Sequence, residues 1–156
     1  MWLRFAADHS RFEVTDEFSA ELDDLHRTTF DYFWSGSHRE SGLPRDRMGS
    51  DVQTIHEITS ISGVGFGFLA LIVGVHRSWI TRQEAIDRAN LMLRSLGAVK
   101  RFHGAFPHFV HSSGGKTIPF AKFDDGGDLV ETALLVQALI CAREFFDEPT
   151  STEMDL

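Results

Sequence analysis

The segment Phe123-Asp124-Asp125-Gly126-Gly127-Asp128-Leu129-Val130-Glu131 holds four carboxylates within eight residues. Such groups accept hydrogen bonds from hydroxyl-rich ligands, and in pairs they pass protons to and from a reacting oxygen. Asp128 and Glu131 stand three apart, so a helix beginning near Asp128 presents both on one face of its first turn. The Gly126-Gly127 pair allows the backbone to approach closely whatever the carboxylates face. A simpler reading stands beside this one. Acidic residues favour helix N-termini as caps and as partners of the helix dipole, which accounts for one or two of the four. On these residues alone a site and a heavily capped helix both remain open.

Composition narrows the classes. A chain of 156 residues, 42% hydrophobic and 24% charged, fits a single globular domain. Fourteen Phe and three Trp against one Tyr supply aromatic surface for a core or for stacking on sugars. A net charge of −8 without a Lys/Arg block argues against nucleic acid as a partner. The single cysteine, Cys141, excludes an intrachain disulfide and reads as a small buried hydrophobe in an apolar helical run. The first residues lack the apolar core of a secretory signal, and the longest apolar run, Val64 to Val75, is too short and glycine-rich to span a bilayer. The expectation is a soluble chain with no membrane partner.

The elements that must position the carboxylates read as all-α. After a leader over 1–14, Thr15 or Asp16 caps a first helix with Phe18, Leu22, Leu25, Thr29 and Phe33 on one face, widened by Phe30 and Trp34, ending near Ser35-Gly36. A loop from Ser37 to Asp51 carries Arg45-Asp46-Arg47, suited to surface ion pairs or to a cleft rim. A second helix is expected from Thr54 to Arg77, apolar nearly all round and therefore buried on most sides. Its glycines are spaced GxGxG, which is no dinucleotide fingerprint, and His56-Glu57-Ile58-Thr59-Ser60 lacks the second His of a zinc-protease motif. Small residues for close helix packing are the better account.

Thr81-Arg82-Gln83-Glu84 is a capping box for a third helix with Ile86, Ala89, Leu93 and Leu96 as its core stripe and Gly97 as its stop. The short link places the second and third helices as a hairpin. A β-hairpin-like excursion near 102–120 follows, rich in Phe and His. His103, His108 and His111 show no standard ligand spacing, and the acidic segment lacks an EF-hand pattern, so neither a metal nor a cofactor is expected. The fourth helix starts at Asp128 with Leu129, Ala133, Val136 and Ile140 as its stripe and Leu135, Leu139 and Phe146 offset; a polar tail occupies 149–156.

Six blocks in this order resemble one known family: Thr28 to Trp34, Ser41 to Arg47, Gly63 to Gly67, Trp79 to Ala85, Phe102 to Phe109, and Asp124 to Ala133. Together they are similar to the N-terminal portion of the bacterial glucoamylase-like proteins of glycoside hydrolase family 144, whose characterised members are endo-β-1,2-glucanases. The resemblance runs from about Glu21 to Phe146. It implies that 15–148 form the first part of an (α/α)6 barrel. Asp124, Asp128 and Glu131 match the family's cleft carboxylates, which bind sugar hydroxyls and help position the attacking water, and are the catalytic candidates. Asp125, His108 and the rings of Phe66, Phe106 and Phe109 are substrate-binding candidates, with Arg45 and Arg47 at the cleft rim.

In the family the general acid comes from later in the chain than this sequence extends. The implied function is thus a hydrolase-like domain acting on or binding a β-linked glucan, incomplete as a catalyst by itself. The alternatives are a non-catalytic helical module binding carbohydrate or protein, or a fragment of a truncated gene. Part of a toroid exposes the inner faces of its second and fourth helices, so the expected partners are an oligo- or polysaccharide and a homo-oligomeric or complementary chain. Relatives of the family are often periplasmic or secreted, while no signal in this sequence assigns a compartment.

Overall fold

The computed structural model describes residues 15–49, 57–124 and 126–147. The leader, the tail, Asp125 and the expected helix start at Thr54 lie outside those residues. Four helices and three short strands follow in the order α1 (Asp16–Trp34), β1 (Ile58–Ser60), α2 (Ile61–His76), α3 (Arg82–Gly97), β2 (Phe109–His111), β3 (Thr117–Ile118) and α4 (Leu129–Asp147).

Helix α2 is the centre, packing against α1, α3 and above all α4. Ile61, Val64, Phe68 and Leu71 are buried along it, each burial contributing about 1.5–3 kcal/mol. Its glycines act through space. A Cβ on Gly65 would stand 3.1 Å from the α4 backbone at Leu134 and Leu135, and one on Gly74 would stand 2.4 Å from the Phe30 ring of α1. Small residues therefore set the helix spacing, as the sequence suggests.

Local signals placed the helix starts well. The Thr15 hydroxyl accepts from Phe18 N at 3.2 Å, and the Thr81/Glu84 box closes in both directions. The stripes were less reliable. Of the face expected on α1, Phe18 and Leu25 are exposed and the buried residue is Phe30, which stacks near Trp34 and Trp79. On α3 the buried set is Ala85, Ala89, Met92 and Leu96, while Leu93 is exposed. On α4 the stripe of Leu129, Val136 and Ile140 faces outward, and Leu135, Ala138 and Ala142 meet α2. Cys141 falls on the outward side and is exposed, contrary to its expected burial.

The excursion is a β2–β3 hairpin, but it belongs to a three-stranded antiparallel sheet in the order β1-β2-β3. Thr59 pairs with Val110 in its centre. Strand β1 occupies 58–60, where a helix was expected, and α2 begins only at Ile61. Pairing with β2 wins there because Thr59 is also tied down by its side chain. Its hydroxyl donates to Pro44 O at 2.7 Å and lies 3.0 Å from the Ser112 hydroxyl, with both side chains fully buried. The Ser41 hydroxyl donates to Ser112 O and completes this polar knot.

Connectivity then fixes where a site can be. The α2–α3 link is only residues 77–81, whereas 35–60 and 98–128 are long connections. Both long connections arrive at the N-termini of α2 and α4. Those two helices run parallel, because the first turn of one bonds the first turn of the other.

Candidate functional site

At this shared end the backbone amides of two helices point outward, and their dipoles favour negative charge. Asp128 immediately precedes α4 and caps it: its Oδ1 accepts from Val130 N at 2.9 Å and Glu131 N at 3.0 Å. Its own amide donates to Phe106 O at 2.7 Å, which fastens the excursion to the helix start. The Glu131 amide, opposed by partial burial and helped by the His108 ring, holds the Asp128 carboxyl below the usual carboxylate range.

Glu131, one turn on, points the other way. It is 8% exposed, and its Oε2 accepts from Ser62 N, in the first turn of α2, at 2.7 Å. Helix α2 has no local side-chain cap, since Ser60 makes no such bond. A carboxylate from 69 residues away fills the role.

His108 lies between the two carboxylates. Its Nδ1 is 2.8 Å from Asp128 Oδ2 and its Nε2 is 3.9 Å from Glu131 Oε1. The ring is flanked by Phe109 and Phe120, with centroids at 4.3 and 4.4 Å. Phe106 joins the cluster through its backbone, its N donating to the Thr132 hydroxyl at 2.9 Å, while its ring meets Arg101.

Asp124 is exposed, its backbone bridging Ala121. It lines a cleft of about 540 Å³ together with Lys100, Arg101, Phe102, Thr117 and Phe123. Phe123 is 90% exposed beside that cleft.

The remaining candidates separate. Arg45 is largely buried and donates to Gly36 O at 2.8 Å and to Glu57 Oε1 at 3.2 Å, bracing the loop after α1. Arg47 is exposed, pairs with Asp46 at 3.1 Å, and borders a small hollow with Ile58 and Phe109. Phe66 lines a different groove of about 410 Å³ between α1 and α2, with Phe30, Phe33 and Val73. Asp125 lies outside the described residues.

Three participants escaped the sequence reading: Ser62, Thr132 and Phe120. The Thr132 hydroxyl donates to Asp128 O at 2.7 Å, and its position four residues after Asp128 was the available signal. For the Ser62 amide there was none, because any residue supplies an amide.

No family model matches the chain. It is 34% identical over 146 residues to an exo-β-1,2-glucooligosaccharide sophorohydrolase of Parabacteroides distasonis, which covers 93% of this chain and 19% of that protein. An endo-β-1,2-glucanase of Chitinophaga pinensis, solved with sophorotriose and glucose, superposes at a TM-score of 0.80 with 35% identity, over 88% of this chain and 34% of that one. A β-1,2-glucanase of P. distasonis superposes at 0.75 with 34% identity, over 92% of this chain and 20% of that one. The chain thus spans between a fifth and a third of the length of these relatives. Across nearly all its own length, it is homologous to one portion of the bacterial glucoamylase-like β-1,2-glucan hydrolases.

Proposed function

We propose that this chain is the glucan-handling part of an (α/α)6 glycoside hydrolase barrel acting on β-1,2-linked glucose. The observation that carries this reading is the gathering of Asp128, Glu131 and His108 at the common N-terminal end of α2 and α4. Homology to enzymes named for β-1,2-glucans supplies the substrate class. In this reading Asp124, exposed in its cleft, meets sugar hydroxyls or water directly. Asp128 and Glu131 give that end its negative charge, and Phe109, its ring near-parallel to that of Phe120, offers an aromatic face for a pyranose. Phe106 shapes the same wall, Arg45 braces it, and Arg47 stands at its rim. Phe66 belongs to the inner wall of the completed barrel.

Glycoside hydrolysis needs a carboxylic acid for the leaving oxygen as well as a carboxylate for water. The relatives hold two thirds or more of their length outside the matched portion, and we assign the acid there. For this chain alone, binding without turnover is the expected behaviour.

The experiment is calorimetric titration of the chain with sophorotriose, with maltotriose as the linkage control, alongside a reducing-end assay on linear β-1,2-glucan. Binding of the β-1,2 sugar that Asp124→Asn weakens tenfold or more supports the reading. Equal affinity for both sugars, or none for either, sinks it.

A second reading is favoured by the outward face of α4, where Leu129, Val130, Val136 and Ile140 are exposed. Here the chain is a non-catalytic module and that face receives another polypeptide, a second copy included. Concentration-dependent sedimentation, abolished by Ile140→Glu, is its expected signature.

A further inference from the structure

Among the described residues, His108 is the titratable side chain that meets both Asp128 and Glu131. Each carboxylate already has one oxygen committed, Oδ1 of Asp128 to the amides of Val130 and Glu131, and Oε2 of Glu131 to the amide of Ser62. The oxygens left over, Oδ2 and Oε1, face opposite nitrogens of one imidazole. The charged groups against the ring are the residue that caps α4 and one in its first turn; the sheet and the loop after it contribute the uncharged rings of Phe109 and Phe120.

Proton accounting follows from these contacts. An ionised carboxylate only accepts, so the nitrogen 2.8 Å from Asp128 carries the hydrogen. The neutral ring is then the Nδ1–H tautomer, and Nε2 turns a lone pair toward Glu131. At 3.9 Å this second pair is too far apart to hydrogen-bond.

We infer that His108 is a positioning residue: its Nδ1–H fixes the free oxygen of Asp128, which leaves the Nε2 lone pair turned toward Oε1 of Glu131. As a support for carboxylates that meet a sugar, the ring rests on the function proposed above. Its tautomer does not.

The test is therefore made on the ring itself, without substrate. The whole chain is labelled with 15N-histidine, long-range 1H–15N spectra are recorded across a pH titration, and His108→Gln identifies the His108 signals. The neutral limb is expected to show Nδ1–H. Asp128→Asn is expected to shift the ring toward Nε2–H.

An Nε2–H ring in the unaltered chain overturns the proposal, and that reading needs no variant to fold. An unchanged tautomer in a folded Asp128→Asn protein overturns it too. Loss of sugar binding with the Nδ1–H ring intact would remove the proposed function and leave this inference standing.

Discussion

The N-termini of α3 and α2 solve the same problem by different means. Both helices leave amides without intrahelical partners, and both satisfy one with a glutamate carboxylate. At α3 the glutamate is Glu84, three residues from Thr81, and the reciprocal box is exposed to water. At α2 it is Glu131, buried, brought by a helix that begins 67 residues after the amide it serves. The local cap stabilises one helix. The distant cap also ties α4 to α2.

The comparison can be broken most readily at Glu131. Glu131→Ala removes a charged acceptor from a buried amide and is expected to cost about 1.5–3 kcal/mol, read by urea denaturation. Hydrogen exchange in that variant should quicken at Ser62 and Gly63 while the first turn of α3 keeps its protection. Unchanged stability would show that α2 needs no distant cap. Gly65→Ala tests the same interface through packing: its Cβ would stand 3.1 Å from the α4 backbone, and a loss of about 1–3 kcal/mol is expected.

Thr81→Ala should cost less, about 1 kcal/mol, because water replaces an exposed cap. Combined with Glu131→Ala its effect should add, the two sites sharing no partner. A clear departure from additivity would mean the two ends are coupled.

The smallest expected effect is on acid stability. The carboxyls of Glu84 and Asp128 both have folded pKa values below their ordinary 4.5 and 3.8. Groups lowered in this way stabilise the fold above their unfolded values and lose that contribution as pH falls through the folded ones. Melting temperature should therefore decline below about pH 4.5, and Asp128→Asn should make the decline shallower. A decline as steep in the variant would remove Asp128 from the account.

How far the sequence could be read differs by residue. The Thr15 cap, the Thr81–Glu84 box and the placing of Asp128 and Glu131 in one helical turn were legible, since each depends on residues three or four apart. The covered face of α4 was not. Its residues are apolar on both sides, so periodicity offers two stripes and only contact with Gly65 selects Leu135 and Ala138 over Val136 and Ile140. Strand β1 was hidden for a related reason. Three residues beside a long apolar helix carry no period of their own, and their pairing partner lies fifty residues away in β2.

By itself, then, the sequence determined the starts of α1, α3 and α4, the aromatic hairpin and, through six ordered blocks, the kinship with β-1,2-glucan hydrolases. It also held the four carboxylates, because composition is local. Only the tertiary structure decided what three of them do. Asp128 caps its own helix and meets His108, Glu131 reaches across to α2, and Asp124 is left exposed in a cleft. The physical reason is that hydrogen bonds to backbone amides carry no residue code. Which amide lies within reach of a carboxylate is settled only when the helices pack.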